Sequence, residues 1–151
     1  MTKLINGRGN LGSTLQARII EFPGDKDLCI YHTWSVKNKA EKKQEREFIK
    51  FKSFVDDNQD KKIIFISTAS KKNTYYTFYK HLAESYLLLN SLGSLIIRLP
   101  LLITPGSIFT KLKNSEVTPV GLMEFISLND AVDEILDFSH YTGLSRIKEV
   151  S

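Results

Sequence analysis

The sequence predicts an α/β fold with a mostly parallel sheet that is covered by helices on both faces. Apolar segments of strand length alternate along the chain with longer segments whose apolar residues recur at helical spacing. Two of the predicted strands, IIFIST (63–68) and SLIIRLPLLI (94–103), are apolar without alternation. Such strands are typical of parallel sheets that are buried on both sides. Because ligands bind at the carboxyl ends of strands in these sheets, the residues that follow strands are the candidates for function.

Each element has a local signal in the sequence. The predicted strands are short apolar segments bounded by polar residues, and they cover 3–6, 28–34, 63–68, 94–103 and, more weakly, 123–128. The predicted helices have apolar residues three or four positions apart, and they cover 13–22, 38–56, 74–90 and 129–138. Ser127 or Asn129 is expected to cap the last helix.

Composition and charge indicate one globular domain over residues 1–151, long enough to bury a core. The net charge of +4 comes from 21 basic residues interspersed with 17 acidic ones. This balance favours a mildly positive soluble protein over a dedicated nucleic-acid binder, so no nucleic-acid partner is expected. The densest basic stretch, KNKAEKKQEREFIKFK (37–52), has three glutamates among its lysines and predicts a solvated helix face.

The cysteine content and the N-terminal residues indicate the expected cellular location. Cys29 is the single cysteine, so no disulfide can form within the chain, and no cysteine–histidine cluster predicts a metal site. The N-terminus lacks the charged and apolar regions of a signal peptide. The apolar stretch 95–103 is interrupted by Arg98 and Pro100 and is too short to span a bilayer. We therefore expect a cytoplasmic protein with no membrane partner.

The first predicted turn matches the pattern G-x-G-x-x-G with the residues Gly7, Arg8, Gly9, Asn10, Leu11 and Gly12. Glycines at this spacing permit a tight turn and let the backbone approach a pyrophosphate, which then sits on the amides of a helix N-terminus. The context fits, because a strand precedes the turn and a helix follows it. A simple tight turn is the alternative. The acidic residue expected about 20 positions further on is missing, since Asp25 and Asp27 belong to a turn.

A second motif lies in NTYYTFYKHLAES (73–85), where four aromatic residues stand beside a lysine near the start of a predicted helix. Residues four apart share a helix face, so Tyr76 and Lys80 can point at the same ligand. A nearby ammonium lowers the pKa of a phenol from its usual value of about 10. The pair therefore predicts acid–base chemistry, and aromatic packing in the core is the alternative.

The order of these pieces resembles the extended short-chain dehydrogenase/reductase family, especially its NAD-dependent epimerase/dehydratase branch, which works on nucleotide sugars. The glycine turn looks like that branch's first turn, and Tyr76 to Lys80 matches Y-x-x-x-K. The segment IIFISTAS (63–70) is similar to the catalytic serine/threonine strand, with Thr68 at the catalytic position. DLCIYHTWS (27–35) lies where the family has D-x-V-I-H-x-A-A, and IIRLPLLITPG (96–106) is similar to R-x-x-N-x-Y-G-P.

The resemblance implies a reduced Rossmann-like fold. The second and third strands of the usual dinucleotide fold are missing from the order, and residues from about 104 to 151 would be a short remnant of the substrate region. The first strand would then stand at a sheet edge, whose unpaired amides and carbonyls need cover. We therefore expect a homo-oligomer.

The resemblance also implies roles for individual residues. Tyr76 would exchange a proton with a substrate oxygen while hydride moves to or from nicotinamide, and Thr68 would hydrogen-bond that oxygen. Lys80 would hold the nicotinamide ribose, and Thr33 would join the glycine turn in binding the cofactor. The cofactor would be NADP or NAD, with Arg8 and the missing acidic residue favouring NADP. The substrate would be a nucleotide-linked sugar.

Departures from the family pattern leave other functions open. Leu101 and Ile103 replace its asparagine and tyrosine, and Thr33 and Trp34 replace its paired alanines. Trp34 could stack on a base, block the site or fill the core. A non-catalytic nucleotide-binding or assembly module is the main alternative to an enzyme. A flavodoxin-like or other phosphate-binding domain would explain the glycine turn, but it would leave the Tyr76 pair without a role.

Overall fold

A computed structural model of the chain describes residues 3–6, 10–19, 28–35, 40–91, 93–103, 125–139 and 146–150. Its strands are β1 (Lys3–Asn6), β2 (Leu28–Tyr31), β3 (Lys62–Thr68), β4 (Leu95–Leu99), β5 (Leu101–Ile103), β6 (Phe125–Ser127) and β7 (Arg146–Glu149). Its helices are α1 (Asn10–Ile19), α2 (Glu41–Asp57), α3 (Tyr75–Asn90) and α4 (Leu128–Ser139).

The main sheet consists of five described strands, all parallel, in the order β1-β2-β3-β4-β7. Asn6 lies opposite Tyr31, Tyr31 lies opposite Phe65, and Thr68 lies opposite Leu99. The parallel register brings the carboxyl ends of these strands to one edge of the sheet. The predicted α/β class with a mostly parallel sheet is confirmed.

Strands β1 and β7 form the two edges of this sheet among the described residues. Strand β1 pairs directly with β2, and α1 is the helix described between them. This is the order expected when two strands are missing beside the first one. The outer backbone groups of an edge strand are available for pairing with another chain.

Helices cover both faces of the sheet, as the apolar strands predicted. Ile64 and Ile66 point into a core cluster shared with α1 and α4. Ile63 and Phe65 point to the opposite face, into a cluster shared with α2 and α3. The central residues 63–66 of β3 are all apolar and are therefore buried on both sides of the sheet.

Two helix starts are fixed by side-chain caps. The Thr74 hydroxyl accepts a hydrogen bond from the Thr77 backbone N–H at 3.2 Å, and α3 begins at the next residue. The Ser127 hydroxyl accepts from the Asp130 N–H at 3.0 Å, so Ser127 rather than Asn129 caps α4. Each cap satisfies one of the backbone donors that a first turn leaves unpaired.

The segment 94–103, predicted as one strand, is divided at Pro100. Strand β4 stays in the main sheet, whereas β5 pairs in parallel with β6 in a separate two-stranded sheet. Proline has no backbone N–H to donate to a strand ladder, so the ladder breaks there. Strand β7 was not predicted at all, because RIKE is mostly charged and its pairing with β4 depends on backbone groups.

The solvated face predicted for 37–52 is correct only in part. Glu41, Glu45 and Arg46 are exposed, but Gln44 and Glu47 are buried. Gln44 is buried because its side chain accepts a hydrogen bond from the Trp34 indole N–H at 2.7 Å. The charged residues along this helix therefore gave no indication that Gln44 and Glu47 face the protein interior.

Phe51 is the central ring of the aromatic cluster, with ring centroids 4.4 Å from Phe65 and 5.0 Å from Tyr31. We expect Phe51→Ala to lower the free energy of unfolding by about 3–5 kcal/mol, because it leaves a cavity that its neighbours cannot fill. Ile49→Ala, at a position 53% exposed on the same helix, should change it by less than about 0.5 kcal/mol. Urea unfolding measures both, and equal losses would contradict this description of the core.

Candidate active site at the carboxyl edge of the sheet

Helix α3 directs a column of three polar side chains toward the sheet. Tyr76, Lys80 and Glu84 are spaced four residues apart, so they lie one above another on the same face. Tyr76 is partly buried, and Lys80 and Glu84 are 4% and 3% exposed. The spacing predicted that Tyr76 and Lys80 share a face, and the structure places both on the face that packs on the sheet.

The turn between β3 and α3 brings Thr68 next to Tyr76. The Ser70 backbone N–H donates to the Thr68 hydroxyl oxygen at 3.1 Å, and the Thr77 hydroxyl donates to the Ser70 hydroxyl at 3.5 Å. A side-chain hydrogen bond joins Thr68 to Tyr76. Since Thr68 accepts from the backbone, its own hydrogen is available to the tyrosine oxygen. The short connection therefore holds the strand end and the helix start together.

Lys80 lies in a largely aromatic environment. Its ammonium donates to the Ile66 carbonyl oxygen at 2.8 Å. The same nitrogen is 5.0 Å from the ring centroid of Phe65, 5.1 Å from that of Trp34 and 5.7 Å from that of Tyr76. Burial lowers the pKa of Lys80 to about 7, against the opposing charges of nearby carboxylates. Lys80 therefore loses its proton much more readily than a solvated lysine does.

The pKa of Tyr76 differs from the sequence expectation. Burial raises it to about 12, and the hydrogen bond from Thr68 lowers it by a smaller amount. The expected lowering by the Lys80 ammonium does not prevail, because removal of water disfavours the phenolate and the charge on Lys80 is itself incomplete. At neutral pH Tyr76 therefore carries its proton and is suited to donate it.

Trp34 is part of the core. Its ring packs on Phe65 at 5.9 Å and on Phe51 at 6.3 Å between centroids, and its indole N–H is bound by Gln44. Of the three roles considered from the sequence, core packing is the one that these contacts support. Trp34 also covers Lys80 at a position where the family pattern has alanine.

Apart from Lys80, the predicted cofactor-binding residues fall into three groups. Gly7, Arg8 and Gly9 lie outside the described residues. Asn10, Leu11 and Gly12 form the first turn of α1, and the Leu11 side chain belongs to the core cluster with α4. Thr33 is exposed just after β2.

Two described features of this edge are compatible with a dinucleotide, whereas the burial of Lys80 restricts its access to one. Gly12 is buried in the first turn of α1, where a larger side chain would crowd the helix against its surroundings. Lys80 has three N–H donors, of which the Ile66 carbonyl takes one. Thr33, Lys80 and the amides of the first turn of α1 are the groups that would hold the cofactor.

Glu84 and Arg98 were not predicted as site residues. Two nitrogens of the Arg98 guanidinium donate to the Glu84 carboxylate, with contacts of 2.6, 3.0 and 3.1 Å. The Ser67 hydroxyl donates to the same carboxylate at 2.5 Å. The available sequence signal was the third member of the four-residue spacing, Glu84 after Tyr76 and Lys80.

His32 follows β2 and was considered for proton transfer without being assigned a role. Its Nδ1 is buried and has no hydrogen-bond partner. Burial, followed by the charge of Lys80, lowers the pKa of the imidazole to about 4. His32 is therefore neutral near pH 7 and adds no charge to the site.

Within the described ranges, no group of three or more histidine, cysteine or acidic residues lies together as a set of metal ligands. None of the helices in those ranges is long and apolar enough to cross a membrane.

The fold is Rossmann-like, with a tyrosine, a lysine and a threonine at the carboxyl edge of its parallel sheet. Its solved structural neighbours include the Bordetella bronchiseptica enzyme WbmG in complex with NAD and UDP, with a TM-score of 0.68 and 16% identity over 99% of this chain and 72% of that one. WbmH from the same organism, in complex with NAD+, has a TM-score of 0.71 and 14% identity over 99% of this chain and 75% of that one. No protein-family model and no curated protein matches the sequence. At these identities the likeness shows the fold.

The low pKa of His32 makes stability depend on pH. Between pH 6.5 and about 4 the unfolded chain binds the imidazole proton more readily than the folded protein does. The contribution of His32 to the free energy of unfolding is therefore fully present above pH 6.5. It falls by about 3 kcal/mol as the pH drops to about 4.

Urea unfolding at pH 7 and at about pH 4.5 measures this loss. We expect His32→Gln to lose markedly less stability between the two pH values than the wild-type protein. His81→Gln, at a partly exposed position on α3, controls for removing a histidine. Equal losses in the wild-type and His32→Gln proteins would rule out the buried, neutral state of His32.

Proposed function

We propose that this protein is a nicotinamide-dependent oxidoreductase or epimerase that acts on a carbonyl or hydroxyl group of a nucleotide-linked sugar. The observation that carries the proposal is the hydrogen bond between Thr68 and Tyr76, with Lys80 one turn further along the same helix face. These residue types in this arrangement form an acid–base site beside the edge where parallel sheets bind ligands.

The roles of the residues follow from their protonation states. Tyr76 is neutral at pH 7 and donates its proton to the substrate oxygen as a carbonyl is reduced. The resulting phenolate is stabilised by the Thr68 hydrogen bond and by the charge on Lys80. A nicotinamide cofactor, when bound, supplies the hydride in this direction and takes it in the reverse direction. In the oxidative direction Tyr76 must first lose its proton, so the protonation state populated near neutral pH is the one that serves reduction.

The ligand class draws support from the neighbours. WbmG was crystallised with NAD and with UDP, and WbmH with NAD+. NAD is therefore the first cofactor to test, although Arg8 and the missing acidic residue favour NADP in the sequence. The UDP bound to WbmG is consistent with a nucleotide-linked sugar as the substrate of this chain.

A non-catalytic nucleotide-binding or assembly module remains the second candidate. Lys80 is 4% exposed and already donates to the Ile66 carbonyl, so its access to a ribose is restricted. Strand β1 is an edge of the described sheet, which leaves the adenosine side without its usual strands. Both observations oppose a complete cofactor site. The continued presence of Thr68, Tyr76 and Lys80 favours the enzyme.

Cofactor binding is the first test. We expect NADH or NADPH to bind the protein and to quench the fluorescence of Trp34, the single tryptophan, whose ring is 5.1 Å from the Lys80 nitrogen. Tyr76→Phe should keep this binding and lower kcat on nucleotide-linked keto sugars about 10²–10⁴-fold, because it lacks the transferable proton. Tyr75→Phe, at an exposed position of the same helix, is the matched control and should retain activity.

The possible outcomes separate the two candidates. Failure of both nucleotides to bind at millimolar concentration would refute the enzyme and leave the assembly module. Binding without turnover on any nucleotide-linked sugar would favour a nucleotide-binding module. Equal activity of Tyr76→Phe and the wild-type protein would remove the proposed proton donor.

We further propose that the chain forms a homo-oligomer in the cytoplasm and folds as one domain over residues 1–151. Two described surfaces support self-association. One is the open edge of β1. The other is the apolar face of α3, formed by large exposed side chains at spacings of three, four and seven residues: Tyr75, Phe78, Leu82 and Leu89. Such spacing is typical of helix faces that pack on another helix.

Sedimentation at micromolar concentration tests the oligomer and distinguishes its two surfaces. We expect the wild-type protein to sediment as a dimer or larger species. Leu89→Glu, at a position 84% exposed, should produce monomer if α3 is the contact, whereas Ser53→Glu on the exposed side of α2 should not. An oligomer that survives Leu89→Glu would exclude the α3 face and leave the edge of β1 as the proposed contact. A monomeric wild-type protein would refute the proposal.

A further inference from the structure

The Glu84 carboxylate is the centre of a buried polar network that links α3 to two strands. Ser67, the residue before Thr68 on β3, donates to it at 2.5 Å. Arg98 on β4 donates through two nitrogens, the closest contact being 2.6 Å. A carboxylate that is 3% exposed requires such partners, because an unpaired charge in the interior is very costly.

The network is connected directly to both groups of the acid–base site. Ser67 is bonded in sequence to Thr68, so the position of the Ser67 hydroxyl constrains the strand end that reaches Tyr76. Glu84 lies one helical turn after Lys80, and its charge opposes the loss of the Lys80 proton. No other described carboxylate combines contact with β3, contact with β4 and a place on the face of α3 that carries Lys80.

We propose that Glu84 is a positioning residue for the candidate site: through Ser67 and Arg98 it fixes α3 against the ends of β3 and β4, and its negative charge keeps the Lys80 ammonium in place. The catalytic meaning of this role rests on the proposed function. The electrostatic effect on Lys80 does not, because it exists in the protein without cofactor or substrate.

The charged and titratable groups around Lys80 come from several elements. Glu84 acts from α3 and Glu47 acts from α2, and both favour the charged amine. Glu47 is paired with Lys43 at 3.2 Å and Glu84 with Arg98 at 2.6 Å, and each pairing weakens the effect of the carboxylate on other groups. His32, after β2, is neutral except in acid, and Tyr76 keeps its proton near pH 7. Glu84 is therefore the main source of negative charge on the helix that carries Lys80.

Glu84→Gln removes the charge and nearly preserves the shape. The measurement is the pH titration of the Lys80 side-chain methylene signal by NMR in cofactor-free protein, with the signal assigned by its absence from Lys80→Arg. In the wild-type protein the midpoint is expected at about pH 7. In Glu84→Gln it should move to lower pH by about one unit, as on loss of a close opposite charge.

A matched control is Glu134→Gln. Glu134 on α4 is paired at 2.7 Å with Lys148 on β7, and the two side chains are 37% and 41% exposed. This variant removes one negative charge from the protein and should leave the Lys80 midpoint unchanged. An equal shift in both variants would attribute the effect to net charge and would overturn the proposal.

A second variant keeps the test decisive if Glu84→Gln does not fold. The double variant Glu84→Gln/Arg98→Met removes the charge of Glu84 together with the guanidinium that would otherwise be left unpaired. It should also lower the Lys80 midpoint, but by less than Glu84→Gln does, because the opposite charge of Arg98 is removed together with that of Glu84. An unchanged midpoint in the folded variant would overturn the electrostatic role of Glu84.

The pH profile of cofactor binding tests the positioning role separately. In Glu84→Gln the pH profile of cofactor binding should shift together with the Lys80 midpoint, whereas a purely structural loss would weaken binding equally at every pH. A shifted Lys80 midpoint in a protein that binds no nicotinamide nucleotide would refute the proposed function and retain this inference. A uniform loss of binding with an unchanged midpoint would refute the inference and retain the function.

Discussion

The burial of Lys80 and Glu84 one turn apart on α3 is the constraint on which the rest of the site depends. Neither charge can remain in the interior without partners, because the interior solvates ions poorly. The partners come from the sheet, where Arg98 supplies two donors and a strand carbonyl accepts from the lysine. These bonds set the height of α3 over the sheet. Tyr76, one turn before Lys80, is thereby held at the end of β3 beside Thr68.

An aromatic layer gives this constraint its chemical effect. Trp34 and Phe65 cover the lysine and exclude water, so the charges near it are weakly screened. Gln44 on α2 holds the indole by accepting from its N–H, which joins a second helix to the site. The resulting low polarity explains two shifts at once. It lowers the pKa of Lys80 and raises that of Tyr76, since burial disfavours the charged form of each.

Much of the fold could be predicted from local patterns. The predicted strand 63–68 and helix 74–90 differ from β3 and α3 by one residue at their starts. These elements are long, strongly patterned and, for α3, capped by Thr74. Patterns failed where pairing with a distant segment decided the structure. Pro100 divides a continuous apolar run between two sheets, and the charged strand β7 exists through its backbone bonds to β4.

By itself the sequence determined the alternation of helices and strands and the placement of Tyr76 and Lys80 on one helix face, because periodicity is a local property of the chain. It did not determine which charges are buried. In the sequence, nothing distinguishes Glu84 from other glutamates on helices. Its ion pair with Arg98 of β4 is seen only in the tertiary structure. Only the tertiary structure decided that burial lowers the pKa of His32 and raises that of Tyr76. The reason is that protonation depends on desolvation and on partners that are distant in sequence.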